Sequence, residues 1–302
     1  MNPIIAAALW VLLTTAGLVV SAFPRRFELW LGPLLGRLFL LVDARRRAVA
    51  QDNIRHCLPE LDADGRQRLL RENYDHYGIL ALELLHLFSP IPGHYRRYAE
   101  RIVVFDNFDV WEAAHAKGKG TLLITGHFAN WEAAGLIGAR GVPIIMATRR
   151  LKPEWLNRKV VAERHSLNGE TVYGKRILPL MLKHLKEGHC VGFVFDQYAP
   201  PPMGVPATFF GVKVDTQGAV GMLAQRTGAA IVLAGQRRDQ DGFIHVVFEP
   251  ELRLTGEQLS DPAAATEVLA ARIESLIRAN PAQWLWIHRR FKHVVWPGDT
   301  PA

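Results

Sequence analysis

The segment Thr121–Glu132 (TLLITGHFANWE) is the most informative part of the chain about its fold. Its first five residues are apolar or β-branched, which predicts a short buried strand. Gly126 permits a sharp turn after that strand, and Asn130 can cap a helix over residues 131–139. His127 is therefore expected where a strand ends and a helix begins, which is where open α/β sheets bind their ligands.

Strands and helices alternate along most of the chain beyond residue 100. The predicted strands are residues 102–105, 122–125, 143–147, 191–195, 230–234 and 243–248. The predicted helices are residues 108–116, 131–139, 155–165, 177–186, 216–226 and 262–279. This alternation is typical of an α/β fold with a mostly parallel central sheet flanked by helices.

His127 and Glu132 are the first candidate catalytic residues. Five residues of continuous helix would place them on different faces. The side chains can meet if His127 lies in the turn and Glu132 in the first helical turn. A histidine held by a carboxylate is a general base with an orienting partner. Glu132 can equally serve only the helix dipole, and a single histidine often only bonds to a loop.

The pattern His-x4-Glu after an apolar strand resembles the glycerolipid acyltransferase superfamily. The fuller string GHFANWE, residues 126–132, is similar to the bacterial lipid A late acyltransferases, the lauroyl/myristoyl transferase branch. Residues 281–292 (PAQWLWIHRRFK) resemble the end of the same family, and the resemblance covers nearly the whole chain. It implies an acyltransferase whose donor is an acyl carrier protein thioester, or an acyl-CoA, and whose acceptor is a lipid A precursor.

Four further residues are predicted to contact substrate. Arg149 and Arg164 match the interval between two arginines of the family, and guanidinium groups bind carboxylates and phosphates. A Lys-Pro pair stands where the family usually has Asn-Pro, so Arg150 is an alternative to Arg149. Asp196 ends a predicted strand, where it can orient a base or a hydroxyl or only cap a loop. Asn130 begins the helix whose backbone amides are candidate oxyanion donors.

No cofactor and no metal are expected at this site. The sequence contains no HExxH motif, no GxSxG motif and no Walker loop. His127 and Glu132 are two candidate metal ligands without an evident third. Neither Cys57 nor Cys190 lies in a CxxC motif or beside a catalytic-looking histidine, and two cysteines fit a reducing compartment. Without a nucleophile, direct attack by the acceptor hydroxyl is favoured over a covalent acyl-enzyme.

The charge balance indicates acidic partners. The chain of 302 residues has 36 Lys and Arg against 29 Asp and Glu, a net charge of +7. A basic surface suits an anionic lipid or an acidic carrier protein. Because the basic residues fall in short clusters, and no zinc-finger or RNA-binding signature is present, nucleic acid is not an expected partner.

An uncharged run over residues 4–23 predicts a membrane anchor. Twenty residues of helix span about 30 Å, the thickness of one bilayer core. Arg25 and Arg26 follow at once, which favours a cytoplasmic position for the rest of the chain. A cleaved signal peptide and a buried helix are the alternatives; the former lacks its basic start. The next stretch, residues 27–42, has a helical apolar stripe that can lie on the membrane or pack on the domain.

The sequence thus predicts a membrane anchor over residues 1–24, a helical region over residues 25–93 and a catalytic α/β domain over residues 94–302. The predicted protein is an acyltransferase at the cytoplasmic side of the bacterial inner membrane, with His127 as the base and Glu132 as its support. Another acceptor, such as a phosphatidylinositol mannoside, a lysophospholipid or an aminolipid, is an alternative. A non-catalytic, membrane-tethered lipid-binding protein is a second alternative. The oligomeric state is not predicted.

Overall fold

The structure is a computed structural model and describes residues 2–174 and 177–297. A seven-stranded sheet forms the centre of this part of the chain. The strand order is β1-β9-β8-β2-β5-β3-β4, and only the β8–β9 pair is antiparallel. The expected mostly parallel α/β sheet is confirmed. The strands are β1 Val103–Asp106, β2 Thr121–Thr125, β3 Ile144–Ala147, β4 Gly169–Val172, β5 Cys190–Val194, β6 Gly204–Phe209, β7 Val212–Gln217, β8 Ala230–Arg238 and β9 Ile244–Phe248.

Helices surround the sheet and form an N-terminal layer. They are α1 Pro3–Ala22, α2 Arg25–Val42, α3 Ala44–Cys57, α4 Ala63–Leu85, α5 His94–Ile102, α6 Phe108–His115, α7 Glu154–Ser166, α8 Ile177–Lys186, α9 Ala219–Thr227, α10 Gly256–Ser260 and α11 Pro262–Ala279. Short 3-10 helices cover His86–Phe88, Ala133–Arg140 and Pro281–Gln283. The three predicted domains stay predictions; residue 1, residues 175–176 and residues 298–302 lie outside the described residues.

Strand β2 lies in the middle of the sheet, between β5 and β8. Its first four residues are buried on alternating sides, as expected for a strand covered on both faces. Thr121 pairs with Cys190, so β2 and β5 run in register. Because parallel strands end at the same edge of a sheet, the residues that follow β2 and β5 lie next to each other.

Three strands escaped prediction. Strand β4 lies at the edge of the sheet and is short and polar (Gly-Glu-Thr-Val). Strands β6 and β7 form a separate antiparallel hairpin. They follow the proline-rich segment Ala199–Pro202, which masked the pattern of the first strand. The helix expected from residue 216 begins instead at Ala219, because residues 212–217 belong to the hairpin.

The helix expected over residues 131–139 is a 3-10 helix at Ala133–Arg140. Gly135 and Gly138 lower the α-helical propensity of this segment. The N-cap residue is Glu132 rather than the expected Asn130, and the helix type also differs from the prediction. Oδ1 of Asn130 nevertheless accepts a hydrogen bond from the backbone N–H of Ala133, the first residue of the 3-10 helix, at 3.2 Å.

Helix α1 is the one helix in the described chain that is long and apolar enough to cross a membrane. Its mean hydropathy is 2.2, and only 11% of its most apolar window is buried. One face nevertheless touches the domain: the ring of Trp10 meets that of Trp155 edge to face at 5.7 Å, and Ser21 bonds to His94. The helix therefore lies along the domain with its other faces exposed.

Helix α2 packs closely on α4 through glycines. A Cβ added at Gly78 would lie 1.8 Å from the carbonyl oxygen of Gly32, and one added at Gly36 would lie 2.0 Å from that of Tyr74. Backbones approach this closely only where side chains are missing. The opposite face of α2 exposes large apolar side chains: Trp30, Leu34, Leu38, Leu41 and Val42. The sequence allowed this helix either to lie on the membrane or to pack on the domain. In the structure one face packs on α4, and the other face exposes apolar side chains.

A buried ion cluster joins the helical layer to the sheet. Arg25 of α2 bonds to Glu83 of α4, and Nε and Nη2 of Arg238 in β8 donate to the same carboxylate at 2.8 and 2.6 Å. Burial alone would raise the pKa of Glu83, but the charges of Arg238 and Arg25 outweigh it and lower this pKa to about 2. The cluster therefore stays ionised and fixes α2 and α4 against the strand beside β2.

Candidate active site

His127 lies in the turn after β2, as the sequence predicts, and its side chain is 16% exposed. Asp196, which follows β5, bonds to it twice. Oδ1 of Asp196 lies 2.7 Å from Nδ1 of the imidazole, and Oδ2 accepts the backbone N–H of His127 at 2.7 Å. A Cβ added at Gly126 would lie 2.6 Å from the ring of Phe128 and 3.1 Å from Oδ2 of Asp196. A larger residue at 126 would therefore press on this pair.

The Asp196 carboxylate is ionised. Burial by itself would raise its pKa, but the charge of His127 and hydrogen bonds from His127 and from Trp284 lower this pKa to about 2. An ionised carboxylate can only accept hydrogen bonds, so Nδ1 of His127 must carry the proton that joins them. In the neutral form of the imidazole, the lone pair is therefore on Nε2. The side-chain nitrogen of Gln197 lies 3.1 Å from Nε2 and can donate to it. This is the tautomer that a general base needs.

Asp196 therefore occupies the orienting position that the sequence analysis assigned to Glu132. Nη2 and Nε of Arg164 donate to Glu132 at 2.6 and 2.9 Å, a bidentate pair. The physical reason is the strand order: β5 lies beside β2, so the residue after β5 reaches His127 first. Glu132 instead lies beyond Trp131 and faces α7. The catalytic roles of His127 and Glu132 stay predictions.

An apolar cleft opens beside His127 at the carboxyl edge of the sheet. Its enclosed volume is about 80 Å³, and its mouth opens to solvent. Glu132 and Arg164 lie in its wall together with Trp131, whose ring is 4.9 Å from the His127 imidazole, edge to face. The rest of the wall is mainly apolar and includes Leu123, Ile137, Ile144, Met146, Phe193 and Val246. An apolar lining of this kind suits a hydrocarbon chain, and Trp131 connects the cleft to the histidine.

The other predicted site residues lie in different surroundings. Arg149 follows β3 with an exposed side chain, and Arg150 is exposed and forms a bidentate pair with Glu154. Asn130 is fully buried beneath the turn. Of the predicted set, the structure thus joins His127 to Asp196 and Glu132 to Arg164, and places Asn130 within the turn itself.

The C-terminal segment Pro281–Lys292 contacts residues next to His127. Nε1 of Trp284 donates to Oδ2 of Asp196 at 2.7 Å, and Trp284 also pairs with Phe128 in an isolated β-bridge. Asn73 and Tyr77 of α4 donate to the carbonyl oxygen of Trp284 at 2.8 and 3.1 Å. These bonds join the C-terminal segment to α4 and to Asp196, the carboxylate that holds the histidine.

Three site residues escaped prediction: Gln197, Trp131 and Trp284. Trp131 and Trp284 lie within the two segments that carry the family resemblance, and Gln197 directly follows Asp196. His288 lies in the same C-terminal segment as Trp284. Burial lowers its pKa to about 4, so it is neutral at pH 7. The structure shows no direct bond from His288 to the imidazole of His127 among the described residues.

Both cysteines are buried, free thiols. Burial raises the pKa of Cys190 to about 12 and that of Cys57 further. Thiols with raised pKa values are poor nucleophiles. This agrees with the expectation that neither cysteine forms an acyl-enzyme.

The sequence is similar to those of known acyltransferases over most of its length. The family model described as bacterial lipid A biosynthesis acyltransferase matches residues 3–293. The lipid A biosynthesis palmitoleoyltransferase of Escherichia coli K12 is 26% identical over 266 residues, which cover 87% of this chain and 84% of that protein. The lauroyltransferase of the same organism is 26% identical over 279 residues, with the same coverage. A phosphatidylinositol mannoside acyltransferase of Mycolicibacterium smegmatis is 30% identical over 200 residues, 62% of each chain.

The match extends from α1 through the turn of His127 to the C-terminal segment that holds Asp196. It therefore includes every residue that builds the site and the helical layer below it. The chain is an acyltransferase and belongs to the bacterial lipid A biosynthesis acyltransferase family.

Proposed function

We propose that this protein transfers a fatty acyl chain from a thioester to a hydroxyl group of a lipid A precursor, with His127 as the general base. One observation carries the proposal. The imidazole is held by a buried, ionised carboxylate, and its ring contacts Trp131, which lies in the wall of the apolar cleft. Base, orienting group and acyl-chain cleft thus meet at the carboxyl end of β2.

The reaction follows from the tautomer. Nε2 of His127 takes the proton from the acceptor hydroxyl as its oxygen attacks the thioester carbonyl carbon. Asp196 stabilises the imidazolium that forms. The tetrahedral intermediate then collapses, the carbon–sulfur bond breaks, and the imidazolium returns the proton to the leaving thiolate. The new ester and a free thiol are the products, and no covalent acyl-enzyme is needed.

Glu132 and Arg164 take a second role in this proposal. The pair lies in the cleft wall beside Trp131, whose ring contacts the imidazole. Both side chains are mostly covered, with 12% and 15% of their surface exposed, so the pair is held in place. We assign it to positioning the thioester end of the acyl chain against His127. Glu132 thereby supports the base through the cleft wall rather than through a direct bond.

The donor and acceptor classes come from the family and from charge. The two Escherichia coli relatives are named as lipid A acyltransferases, which supports a lipid A precursor as the acceptor. Fatty thioesters are carried by acyl carrier protein or by coenzyme A, and both carriers are acidic. The net charge of +7 suits an acidic carrier and a phosphorylated acceptor. Arg149 is exposed at the end of β3 and is assigned to the anionic headgroup of the acceptor.

A second acceptor is favoured by a separate observation. The mannoside acyltransferase of Mycolicibacterium smegmatis has a higher identity, 30%, over a shorter stretch. A phosphatidylinositol mannoside is therefore the alternative acceptor. The site residues described above serve both acceptors equally, because each reaction begins at a hydroxyl group.

We further propose that α1 anchors the protein in the bacterial inner membrane, with the catalytic domain on the cytoplasmic side. Helix α1 exposes apolar faces along its length, and α2 exposes Trp30, Leu34 and Leu38 beside it. Contacts such as Trp10 with Trp155 hold α1 against the domain. The edge of the domain would then touch the bilayer, where a lipid acceptor is found.

Turnover of labelled substrates tests the function. The purified full-length protein would be given an acyl carrier protein thioester with a labelled chain, together with a lipid A precursor, a phosphatidylinositol mannoside or neither. Label in the lipid A precursor is the expected result. Label only in the mannoside would replace the acceptor, and a protein that binds lipid but never transfers label would overturn the proposal. Mass spectrometry of lipids from a strain that lacks the gene would identify the acceptor in the cell.

A further inference from the structure

Three metal-ligating side chains converge at the edge of the sheet opposite the candidate active site. His184 lies in the last turn of α8, His189 directly precedes β5, and Glu187 lies between them. The Nδ1 atoms of the two imidazoles are 3.1 Å apart. Oε2 of Glu187 lies 3.5 Å from Nδ1 of His184 and 3.9 Å from Nδ1 of His189.

These separations match the edges of a zinc coordination tetrahedron. Zinc binds nitrogen and oxygen donors at about 2.0–2.2 Å, so tetrahedral donors lie about 3.3–3.5 Å from one another. The three measured separations bracket that value. The longest one ends on Glu187, whose side chain is 43% exposed and can rotate to shorten it.

The backbone holds the two imidazoles together. The N–H of His189 donates to the carbonyl oxygen of His184 at 2.9 Å, which closes the turn between α8 and β5. The carbonyl oxygen of His189 accepts from the N–H of Thr121 at 3.2 Å, which ties the turn to β2. The rings are stacked with their centroids 5.3 Å apart. Ligands that are already ordered lose little conformational entropy when an ion binds.

We propose that His184, Glu187 and His189 bind a zinc ion through Nδ1, Oε2 and Nδ1, with water in the fourth position. The site fastens the end of α8 to the start of β5. A strand of five residues is about 17 Å long, so the ion lies far from His127 at the other end of β2. Its effect is on stability, and the transfer reaction does not use it. The competing explanation is that no ion binds and that hydrogen bonds among the same three side chains hold them together.

Zinc binding to the untagged, full-length protein tests the proposal. The protein would be stripped with a chelator in detergent, and its melting temperature would be measured with and without Zn²⁺. Expected are one bound ion per chain and a rise of about 5 °C at a zinc concentration 100-fold above Kd. The double variant His184→Asn/His189→Asn should lose the rise. The matched control His165→Asn, which removes an exposed histidine of α7, should keep it.

Cobalt offers a second readout that does not depend on the double variant. Tetrahedral Co²⁺ absorbs visible light strongly, so the wild-type protein should become coloured with Co²⁺ and lose the colour when Zn²⁺ is added. The milder variant Glu187→Gln should weaken Kd by about tenfold or more. Zinc could raise the melting temperature of wild type and double variant equally, or leave that of wild type unchanged. Either result would show that the three side chains only hydrogen-bond to one another and bind no ion.

Discussion

Replacing Asp196 with asparagine changes the tautomer of His127. Oδ2 of Asp196 accepts two hydrogen bonds, from the backbone N–H of His127 and from Nε1 of Trp284, whereas Oδ1 accepts one from Nδ1 of His127. The single carbonyl oxygen of asparagine should take the Oδ2 position, where two donors converge. Its NH₂ group then donates to Nδ1, and the imidazole proton moves to Nε2.

An imidazole with its proton on Nε2 cannot accept one from the substrate hydroxyl. Loss of a general base lowers kcat by about 10²–10⁴-fold, which corresponds to about 3–5.5 kcal/mol of transition-state stabilisation. KM should change little, because Asp196 is only 2% exposed. The free energy of unfolding should fall by about 1–3 kcal/mol, because hydrogen bonds to a charged acceptor become neutral ones.

Initial rates with a labelled thioester, together with thermal unfolding, measure both effects. Asp106→Asn is the matched control, since Asp106 bonds to Nδ1 of His245 at 2.8 Å at the edge of the sheet, outside the site. It should keep normal turnover. Near-normal kcat in folded Asp196→Asn would refute the assignment of Asp196 as the orienting group.

The stability difference between wild type and Asp196→Asn should also depend on pH. The pKa of Asp196 is lowered from its ordinary 3.8 to about 2. A carboxylate with a depressed pKa stabilises the folded state fully above its unfolded pKa and ceases to do so as the pH falls through the folded value. The difference in free energy of unfolding should therefore be constant near pH 7 and narrow between about pH 4 and about pH 2.

Three further predictions concern the cleft wall, the headgroup and the anchor. Glu132→Gln should lower both turnover and stability, the latter by about 3 kcal/mol, because Arg164 loses its ionised partner; unchanged rates would limit the pair to a structural role. Arg149→Lys should raise KM for the acceptor by about tenfold, equal to about 1.4 kcal/mol, and leave KM for the donor unchanged. Arg150→Lys is its control, and an effect at Arg150 alone would move the headgroup contact there. The intact protein should stay in the membrane fraction through a high-salt wash. Deletion of residues 1–23 should reduce the fraction that is retained. Release of the intact protein by salt alone would contradict the anchor.

The central part of the fold could be predicted because local sequence determines it. Strand β2 is an uninterrupted apolar run, and the turn at Gly126 follows it directly. Those features place His127 at the edge of the sheet without any tertiary information. The long helix α11 was predicted with correct bounds, since its apolar stripe is regular and Asp261 caps its start.

The partner of His127 could not be predicted because it depends on strand order. β5 is the third strand after β2 along the chain, yet it lies directly beside β2. Glu132 is near His127 in sequence and was therefore the natural choice, whereas Asp196 is 69 residues away. The bonds of Trp284 and Asp196 are equally non-local. Strands such as β4, which are short and polar at the edge, give no periodic signal at all.

Acyl transfer by the His127→Ala variant measures what the proposed base contributes to the reaction. Wild type and variant would be compared at saturating labelled acyl carrier protein thioester and lipid A precursor, with circular dichroism to show that both are folded. Because His127 is the proposed base, a loss of about 10²–10⁴-fold in kcat is predicted, with the fold unchanged. Normal turnover by a folded His127→Ala variant would show that the reaction uses another base, and would contradict the mechanism proposed for this site.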